Sequence, residues 1–258
     1  MELPDLYRKV AFISKKDTKR ALDQFTIENR WKENASIIDI GSGDGSTTKT
    51  ILEKYASPSY TKIVGCDISS KMVKYANAHF GSERIKFIQC DIVQLLPQFL
   101  KGEFDHAFSF YVLQRIQQQK AAFSFIYDCL KDGGSCLLVF LGRYPVYDVY
   151  RTLARKAKWA EDLKDVETFI SPYHDSQNPM NVVRNIMDSI GFKGIEVNVF
   201  DETHTYDDAN TFKCLVKAIN PFNALNERWD EFMQDYFEVA SNNAVKIDYQ
   251  VIVAYGSK

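Results

Sequence analysis

A glycine-rich turn stands early in the chain, between an apolar run at 36–40 and a helical pattern. It reads Asp39-Ile40-Gly41-Ser42-Gly43-Asp44-Gly45-Ser46. Glycine has no Cβ, so its backbone can approach a ligand closely. The turn after the first strand of a doubly wound sheet lies where such sheets bind ligands. Ser46 stands where the dinucleotide fingerprint GxGxxG needs its third glycine. A tight strand-to-helix connection that binds nothing is the alternative.

Two acids follow the next two apolar runs. Asp67 ends the second run in GCDIS, and Asp91 ends the third in QCDIV. A carboxylate at the end of the second strand can accept hydrogen bonds from both hydroxyls of a ribose. An acid after the third strand can accept one from an exocyclic amino group, and Ile68 and Ile92 can enclose a purine ring. The alternative is that both acids only cap the helices that follow.

Short apolar runs alternate with helical patterns from about 36 to 141, which indicates βαβ units and a parallel sheet. The runs are continuous, as in strands that are covered on both faces. The predicted strands are 36–40, 62–67, 85–91, 104–110 and 136–141. The last intervening helix is predicted to end at Lys131-Asp132-Gly133-Gly134. The fold class is therefore α/β, with a doubly wound sheet.

The pattern changes after residue 141. Helical patterns fill most of 145–190, and a final alternating strand follows two further helices. A pair of late strands suits an antiparallel edge of the sheet. We divide one domain, 1–258, into an N-terminal helical segment 1–35, a ligand-binding core 36–141, a helical cover 142–193 and 203–242, and late strands 194–202 and 245–255.

The composition excludes several classes of protein. The chain has 258 residues, 45% of them apolar, which suffices for the core of one large domain. With 32 basic and 34 acidic residues the net charge is -2, so we expect no nucleic-acid and no membrane partner. Five scattered cysteines form no CxxC pair, which indicates reduced thiols and a cytoplasmic protein. The sequence leaves open whether the protein forms a homodimer.

The order of these motifs resembles that of the class I methyltransferases that use S-adenosyl-L-methionine (SAM). The resemblance covers 36–141 and the C-terminal strands. It implies a Rossmann-like sheet with a late antiparallel strand pair and a helical cap, SAM as cofactor and S-adenosylhomocysteine (SAH) as product. The residues that it assigns to the cofactor are Asp39, Gly41, Ser42, Gly43 and Gly45 for the methionine moiety, Asp67 for the ribose, Ile68, Asp91 and Ile92 for the adenine, and Ser109 and Phe110 near the sulfonium.

The residues after the fourth predicted strand bear on the acceptor. Enzymes that methylate amino groups of bases or glutamine carry Asn/Asp-Pro-Pro-Tyr/Phe there, whereas this chain has Phe108-Ser109-Phe110-Tyr111. Catechol methylation needs spaced ligands for a divalent metal, and we find no such set, so no metal is predicted. A carboxylate with a pKa near ~4 is already ionised. It needs no general base, only alignment and exclusion of water.

Six segments, inside and outside this core, are more specific. They are DLYRK at 5–9, VGCDISSKMVKYANAHF at 64–80, FDHAFSFYVLQRI at 104–116, DVYRTL at 148–153, FISPYHD at 169–175 and KAINPFN at 217–223. Together they resemble the insect juvenile hormone acid O-methyltransferases, which methylate the carboxylate of farnesoic acid or juvenile hormone acid in juvenile hormone biosynthesis. The resemblance implies a terpenoid carboxylic acid as substrate, in a long apolar pocket. Its candidate walls are Tyr144, Tyr147, Tyr150, Phe169, Ile170, Tyr173, Phe212 and Phe222.

The chain departs from this family at the positions thought to hold the substrate carboxylate. The family has His-Trp where this chain has Gln114-Arg115, and Gln where it has Ser14. Arg115 can replace the missing donors with a bidentate grip on the carboxylate. Equally, it can be a solvated residue in a diverged paralogue that binds SAM and an apolar acid but acts weakly, on another small acid, or not at all. A nicotinamide dehydrogenase is a third alternative.

Overall fold

A seven-stranded sheet in the order β3-β2-β1-β4-β5-β7-β6 forms the centre of the protein. The computed structural model describes residues 3–240 and 246–258. The strands are β1 (Ser36–Ile40), β2 (Lys62–Asp67), β3 (Ile85–Gln89), β4 (Phe104–Phe110), β5 (Leu130–Leu141), β6 (Lys193–Thr205) and β7 (Lys246–Ser257). Strands β1 to β5 pair in parallel, and β7 pairs antiparallel with β5 and β6. The predicted α/β sheet with a late antiparallel pair is confirmed.

Helices cover both faces of the sheet. They are α1 (Pro4–Val10), α2 (Phe12–Ile27), α3 (Glu53–Tyr55), α4 (Ser70–Phe80), α5 (Gln119–Cys129), α6 (Pro145–Ala154), α7 (Val166–Phe169), α8 (Pro179–Ile190), α9 (Ala209–Ile219) and α10 (Trp229–Val239), with a π-helical turn at Thr48–Leu52 and 3-10 turns at Gln98–Leu100, Leu113–Arg115 and Asn223–Arg228. Because strand side chains alternate, β5 gives Leu137 and Val139 to the core that α2 and α4 cover. It gives Leu138 and Phe140 to the core under α5 and α8.

The predicted strand limits agree for β1, β2 and β4, whereas β5 begins earlier than predicted. Leu130 already pairs with Phe104, so α5 passes directly into the strand after Cys129. The predicted helix end at 131–134 is therefore wrong. The glycines there reflect a register shift in the β4–β5 pair rather than a helix cap.

The predicted helical cover needs two corrections. Helix α8 was predicted as part of this cover, but it lies on a face of the sheet. Its residues Val183 and Met187 pack into the core with Phe140 and Phe192. Residues 203–205 extend β6, since their backbone pairs with β7. The predicted limits at 1, 242 and 245 lie outside the described residues. Within residues 3–240 and 246–258, no helix is long and apolar enough to span a bilayer.

Candidate functional site

The glycine turn lies at the carboxyl end of β1 and is tied to the end of β2. The N–H groups of Gly41 and Ser42 donate to the carbonyl of Cys66 at 2.7 and 2.9 Å. The N–H of Gly43 donates to the Asp67 carboxylate at 3.0 Å. The turn borders a cavity of about 500 Å³. This volume is typical of a site for a small molecule.

Most of the predicted cofactor residues line this cavity. They are Asp39, Gly41, Ser42, Gly43, Asp67, Ile68, Asp91, Ile92 and Phe110. Gly45 and Ser109 do not. Gly45 lies beneath the turn, where a Cβ would come within 2.8 Å of the side chains of Ala76 and Phe87. Because side chains alternate along β4, Ser109 points to the opposite face from Phe110. Its hydroxyl donates to the carbonyl of Ile40 at 3.0 Å.

Asp67 and Asp91 stabilise local turns and also form part of the cavity wall. Asp67 accepts from the N–H of Ser69 at 2.9 Å, and Asp91 accepts from the N–H of Val93 at 3.1 Å. A carboxylate has about four lone-pair sites, so both acids can accept further hydrogen bonds. Ile68 is 64% exposed and offers an apolar surface beside them. The alternative that both acids cap helices is wrong, because Ser69 is the N-cap of α4 and no helix begins directly after Asp91.

Asp39 is an almost fully buried acid in the wall, with 2% of its surface exposed. The Thr48 hydroxyl donates to its carboxyl at 2.5 Å. Burial raises the pKa of Asp39 to about 7, although the hydrogen bond from Thr48 opposes this shift. Near neutral pH this carboxyl therefore exists in both protonation states.

We expect the contribution of Asp39 to the free energy of unfolding of the ligand-free protein to fall as the pH rises from about 4 to about 7. Folded Asp39 keeps its proton where the unfolded chain has lost it, so its contribution is complete only below the ordinary pKa of 3.8 and is lost through about 7. Between about pH 5 and about pH 8 the effect is on the order of 2–3 kcal/mol. Urea unfolding at about pH 5 and about pH 8 measures it. Between these two pH values the parent should lose stability relative to Asp39→Asn, and an equal change in the two proteins would contradict the prediction.

Two polar atoms in the turn lack partners among the described residues. These are Oγ of Ser42 and Oδ2 of Asp44, both buried. Oδ1 of Asp44 accepts from the N–H and hydroxyl of Ser46. Since buried polar groups are nearly always paired, the free atoms suit a ligand with polar groups. The sequence pattern did not single out Asp44, although its place between two glycines was a signal.

Further wall residues are mostly close in sequence to the predicted ones, although the first and last of them, Tyr7 and Thr168, come from distant parts of the chain and carry no local signal. They are Tyr7, Thr47, Cys66, Met72, Cys90, Val93, Tyr111, Val112, Ile116, Gln117, Gln118 and Thr168. Tyr7 belongs to α1, which covers the cavity and is held to α4 by a hydrogen bond from Tyr75 to Asp5 at 2.7 Å. Only the folded chain brings α1 to this edge of the sheet.

Replacing Gly41 by Ala is expected to lower the free energy of unfolding by roughly 2–4 kcal/mol. Gly41 has a φ of +74°, and a Cβ there would lie 2.1 Å from Cγ2 of Val112. Gly43→Ala is the matched control, because Gly43 has a φ of +56° but a Cβ would meet no atom within 4 Å. It should lose only about 1 kcal/mol. Urea unfolding compares the two variants. Equal losses in the free energy of unfolding would show that the Val112 side chain can move aside without cost.

A second cavity, of about 50 Å³, adjoins the first. The predicted substrate residues Ser14, Gln114, Arg115 and Tyr144 line it. Tyr7, Tyr111 and Arg115 line both cavities. The structure thus brings candidates from three distant segments together, beside the larger cavity.

Arg115 lies half-buried at the junction of the two cavities. Its terminal nitrogens donate to the carbonyl of Ile219 at 3.3 Å, and its guanidinium lies 5.7 Å from the ring centre of Phe169. The alternative of a solvated residue is therefore wrong. Among the described residues in these two walls, Arg115 carries the one positive charge. A guanidinium has five N–H donors, so it can still bind an anion.

Tyr173, a predicted substrate residue, lies on the other side of the sheet. Its ring packs against Phe140 with centres 5.1 Å apart, and its hydroxyl donates to Gln119 at 2.5 Å. Phe140 and Leu141 are neighbours in β5 and point to opposite faces. Leu141 lines the smaller cavity, so Tyr173 cannot reach it.

Within the described residues, the predicted long apolar pocket is closed. Tyr147 and Phe169 line the smaller cavity but pack edge to face, with ring centres 5.2 Å apart. Phe222 was predicted as a pocket wall, but it packs 5.8 Å from both Tyr150 and Phe169 inside this aromatic cluster. Phe212 lines a separate cavity of about 150 Å³. The rings fill most of the space, and about 50 Å³ holds only a few waters.

Known proteins share both the sequence and the fold. The family described as methyltransferase domain matches residues 38–138. The chain is 42% identical to the juvenile hormone acid O-methyltransferase of Bombyx mori and 35% identical to that of Drosophila melanogaster. These similarities cover 100% of this chain, and 98% and 93% of the two relatives. The chain belongs to the juvenile hormone acid O-methyltransferase family. The resemblance seen in the sequence is confirmed.

Solved structures agree with the class I methyltransferase fold of this family. The YcgJ protein of Bacillus subtilis is similar with a TM-score of 0.62 and 17% identity, over 93% of this chain and 98% of that one. A phosphoethanolamine N-methyltransferase 2 from Haemonchus contortus, solved with S-adenosyl-L-methionine, gives a TM-score of 0.55 at 17% identity, over 92% of this chain and 52% of that one. These likenesses establish the fold.

The departures from the pattern expected of juvenile hormone acid O-methyltransferases are confined to one place. Ser14, Gln114 and Arg115 all line the smaller cavity. The larger cavity keeps the glycine turn and the acids that the sequence pattern predicted. The three departures therefore lie together around the smaller cavity.

Proposed function

We propose that the protein transfers the methyl group of SAM to the carboxylate of a terpenoid acid, either juvenile hormone acid or farnesoic acid. Full-length similarity to two juvenile hormone acid O-methyltransferases carries this proposal. The position of Arg115 between the two cavities supports it, because a guanidinium binds a carboxylate through paired, charge-assisted hydrogen bonds.

The chemistry of the larger cavity fits SAM. When bound, SAM supplies an electrophilic methyl group. We assign the ribose hydroxyls to Asp67, the adenine to Asp91 and Ile92, and the polar methionine end to Asp39 and Ser42. The orphaned hydroxyl oxygen of Ser42 supports the last assignment, because it is buried and otherwise lacks a partner among the described residues.

On the acceptor side, we assign the carboxylate to Arg115. The carboxylate is ionised near neutral pH, so no residue has to remove a proton. Tyr7 and Tyr111 exclude water from the junction of the cavities. The guanidinium also stabilises the negative charge of the carboxylate and makes it a weaker nucleophile, so we expect slow turnover. The terpenoid chain must displace the aromatic rings that close the smaller cavity.

A turnover assay with methyl-labelled SAM tests the proposal. We expect methyl esters from farnesoic acid and juvenile hormone acid, identified by mass spectrometry, and none from farnesol, which has the same chain without a carboxylate. Calorimetry should show binding of SAH and none of NAD, which would exclude a dehydrogenase. Absence of any ester at stoichiometric enzyme would contradict the proposed activity.

A second candidate is a diverged paralogue that binds SAM and an apolar acid with little or no methyl transfer. The altered residues Ser14, Gln114 and Arg115, which line the smaller cavity, favour it. Such a protein would bind SAH and farnesoic acid in calorimetry and yield no ester.

We also propose a cytoplasmic protein of one domain that binds no nucleic acid and forms a homodimer. All five cysteines are free, which fits a reducing compartment. Cell fractionation tests the location, and light scattering tests the dimer. We expect no binding of DNA or RNA at either low or high salt concentration, in agreement with the nearly balanced charge of the chain.

A further inference from the structure

A buried carboxyl that the proposed reaction does not use lies behind the acceptor site. Asp17 belongs to α2 and is 4% exposed. Its Oδ2 accepts hydrogen bonds from the hydroxyl of Tyr111 and, at 3.0 Å, from that of Tyr249. Asp17 is in the wall of neither cavity, whereas Tyr111 lines both. Asp17 can therefore affect a ligand only through another residue.

Tyr111 has a backbone conformation that has to be held in place. Its φ is +61°, in the left-handed region that aromatic residues rarely adopt. The N–H of Tyr111 donates to the carbonyl of Val139 at 2.7 Å. Its carbonyl accepts from the side-chain amide of Gln114 at 2.7 Å. Such conformations persist only where several contacts enforce them, and the hydroxyl bond to Asp17 is the contact at the far end of the side chain.

The conformation of Tyr111 determines where Arg115 lies. The 3-10 turn 113–115 begins almost directly after Tyr111, and the N–H of Arg115 donates to the carbonyl of Val112 at 2.9 Å. Gln114 connects the turn back to Tyr111. A change in φ at Tyr111 would thus rotate the whole turn and move the guanidinium away from the junction of the cavities.

We propose that Asp17 is a positioning residue for the acceptor, which holds Tyr111 by its hydroxyl and so keeps Arg115 in place for a carboxylate. This inference rests on the proposed function. Packing alone does not explain Asp17, because a buried carboxyl is unfavourable unless it is hydrogen-bonded. An apolar side chain would fill the same space at lower cost.

Two phenylalanine variants separate positioning from general stability. Tyr111→Phe keeps the ring in the wall and removes only the hydroxyl bonded to Asp17. Tyr249→Phe removes the other hydroxyl bonded to the same oxygen, and Tyr249 lines neither of the two cavities. Asp17→Asn keeps the size of the side chain and weakens both bonds. All three variants lose one or more buried hydrogen bonds, so all should be less stable.

We expect Tyr111→Phe and Asp17→Asn to raise the KM for farnesoic acid about tenfold or more, with the Kd of SAH within about twofold of the parent. Tyr249→Phe should leave this KM within about twofold. Assays run well below the unfolding temperature of each variant. An equal rise in KM for Tyr249→Phe, or an unchanged KM for both other variants, would overturn the inference.

Hydrogen exchange supplies a readout that needs no substrate. The backbone amides of 110–117 should exchange faster in Tyr111→Phe and Asp17→Asn, and at the parental rate in Tyr249→Phe. If the parent neither binds nor methylates a terpenoid acid, the proposed function fails, and exchange alone decides whether Asp17 holds the turn. If the parent methylates the acid and exchange in this segment is unchanged, the inference about Asp17 fails while the proposed function stands.

Discussion

Replacing Asp67 by Ala is expected to weaken SAH binding by roughly 2–4 kcal/mol, or about 30- to 1000-fold, with the fold intact. The variant loses a carboxylate that can accept from ribose hydroxyls. It also loses the acceptor for the N–H of Gly43, which orients the glycine turn. Asp67 is only half-buried, so its removal leaves no cavity in the core. Calorimetry measures the affinity, and circular dichroism checks the fold.

Ser69→Ala is the matched control for this prediction. Ser69 caps α4 by accepting from the N–H of Met72 at 3.3 Å, and it is not a wall residue of the larger cavity. Its loss should reduce stability by about 1 kcal/mol and leave SAH affinity nearly unchanged. If Asp67→Ala binds SAH as tightly as the parent and loses only stability, Asp67 only stabilises the turns through the N–H groups of Gly43 and Ser69, and its ribose assignment is wrong.

Arg115→Ala is expected to raise the KM for a terpenoid acid by about 10- to 100-fold and to spare SAH binding. The guanidinium is the described cation at the junction of the two cavities, and a hydrogen bond to a carboxylate contributes more than one between neutral groups. Arg155→Ala is the control, because Arg155 is exposed and outside both walls. Steady-state kinetics with labelled SAM measure both constants. Unchanged kinetics in an active parent would show that the acceptor is held elsewhere.

Restoring the family residues extends this prediction. The triple replacement Ser14→Gln, Gln114→His and Arg115→Trp should increase turnover, because neutral donors position a carboxylate without holding its charge as tightly. All three positions line the same small cavity, so the replacements act together. If the parent forms no ester and the triple variant does, the chain is a diverged, non-catalytic paralogue. A triple variant slower than an active parent would contradict the argument about charge.

The sequence by itself determined the parallel sheet and one edge of the site. Strands buried on both faces are continuous apolar runs, and for that reason β1, β2 and β4 have their predicted bounds. The glycine turn, Asp67 and Asp91 directly follow such runs, and parallel strands end at one edge of the sheet. These residues meet because the strands before them are parallel and end at the same edge, so the local pattern and the topology sufficed to place them.

Only the tertiary structure decided the residues whose environment depends on distant segments. Tyr173 and Ser109 have suitable side chains, but Tyr173 packs against Phe140 on the other face of β5, and the Ser109 hydroxyl donates to the carbonyl of Ile40 in the neighbouring strand. The raised pKa of Asp39 arises from burial by several elements, which no local pattern encodes. The closed pocket likewise results from rings of separate helices that pack against one another, and side-chain packing is a property of the assembled core rather than of sequence spacing.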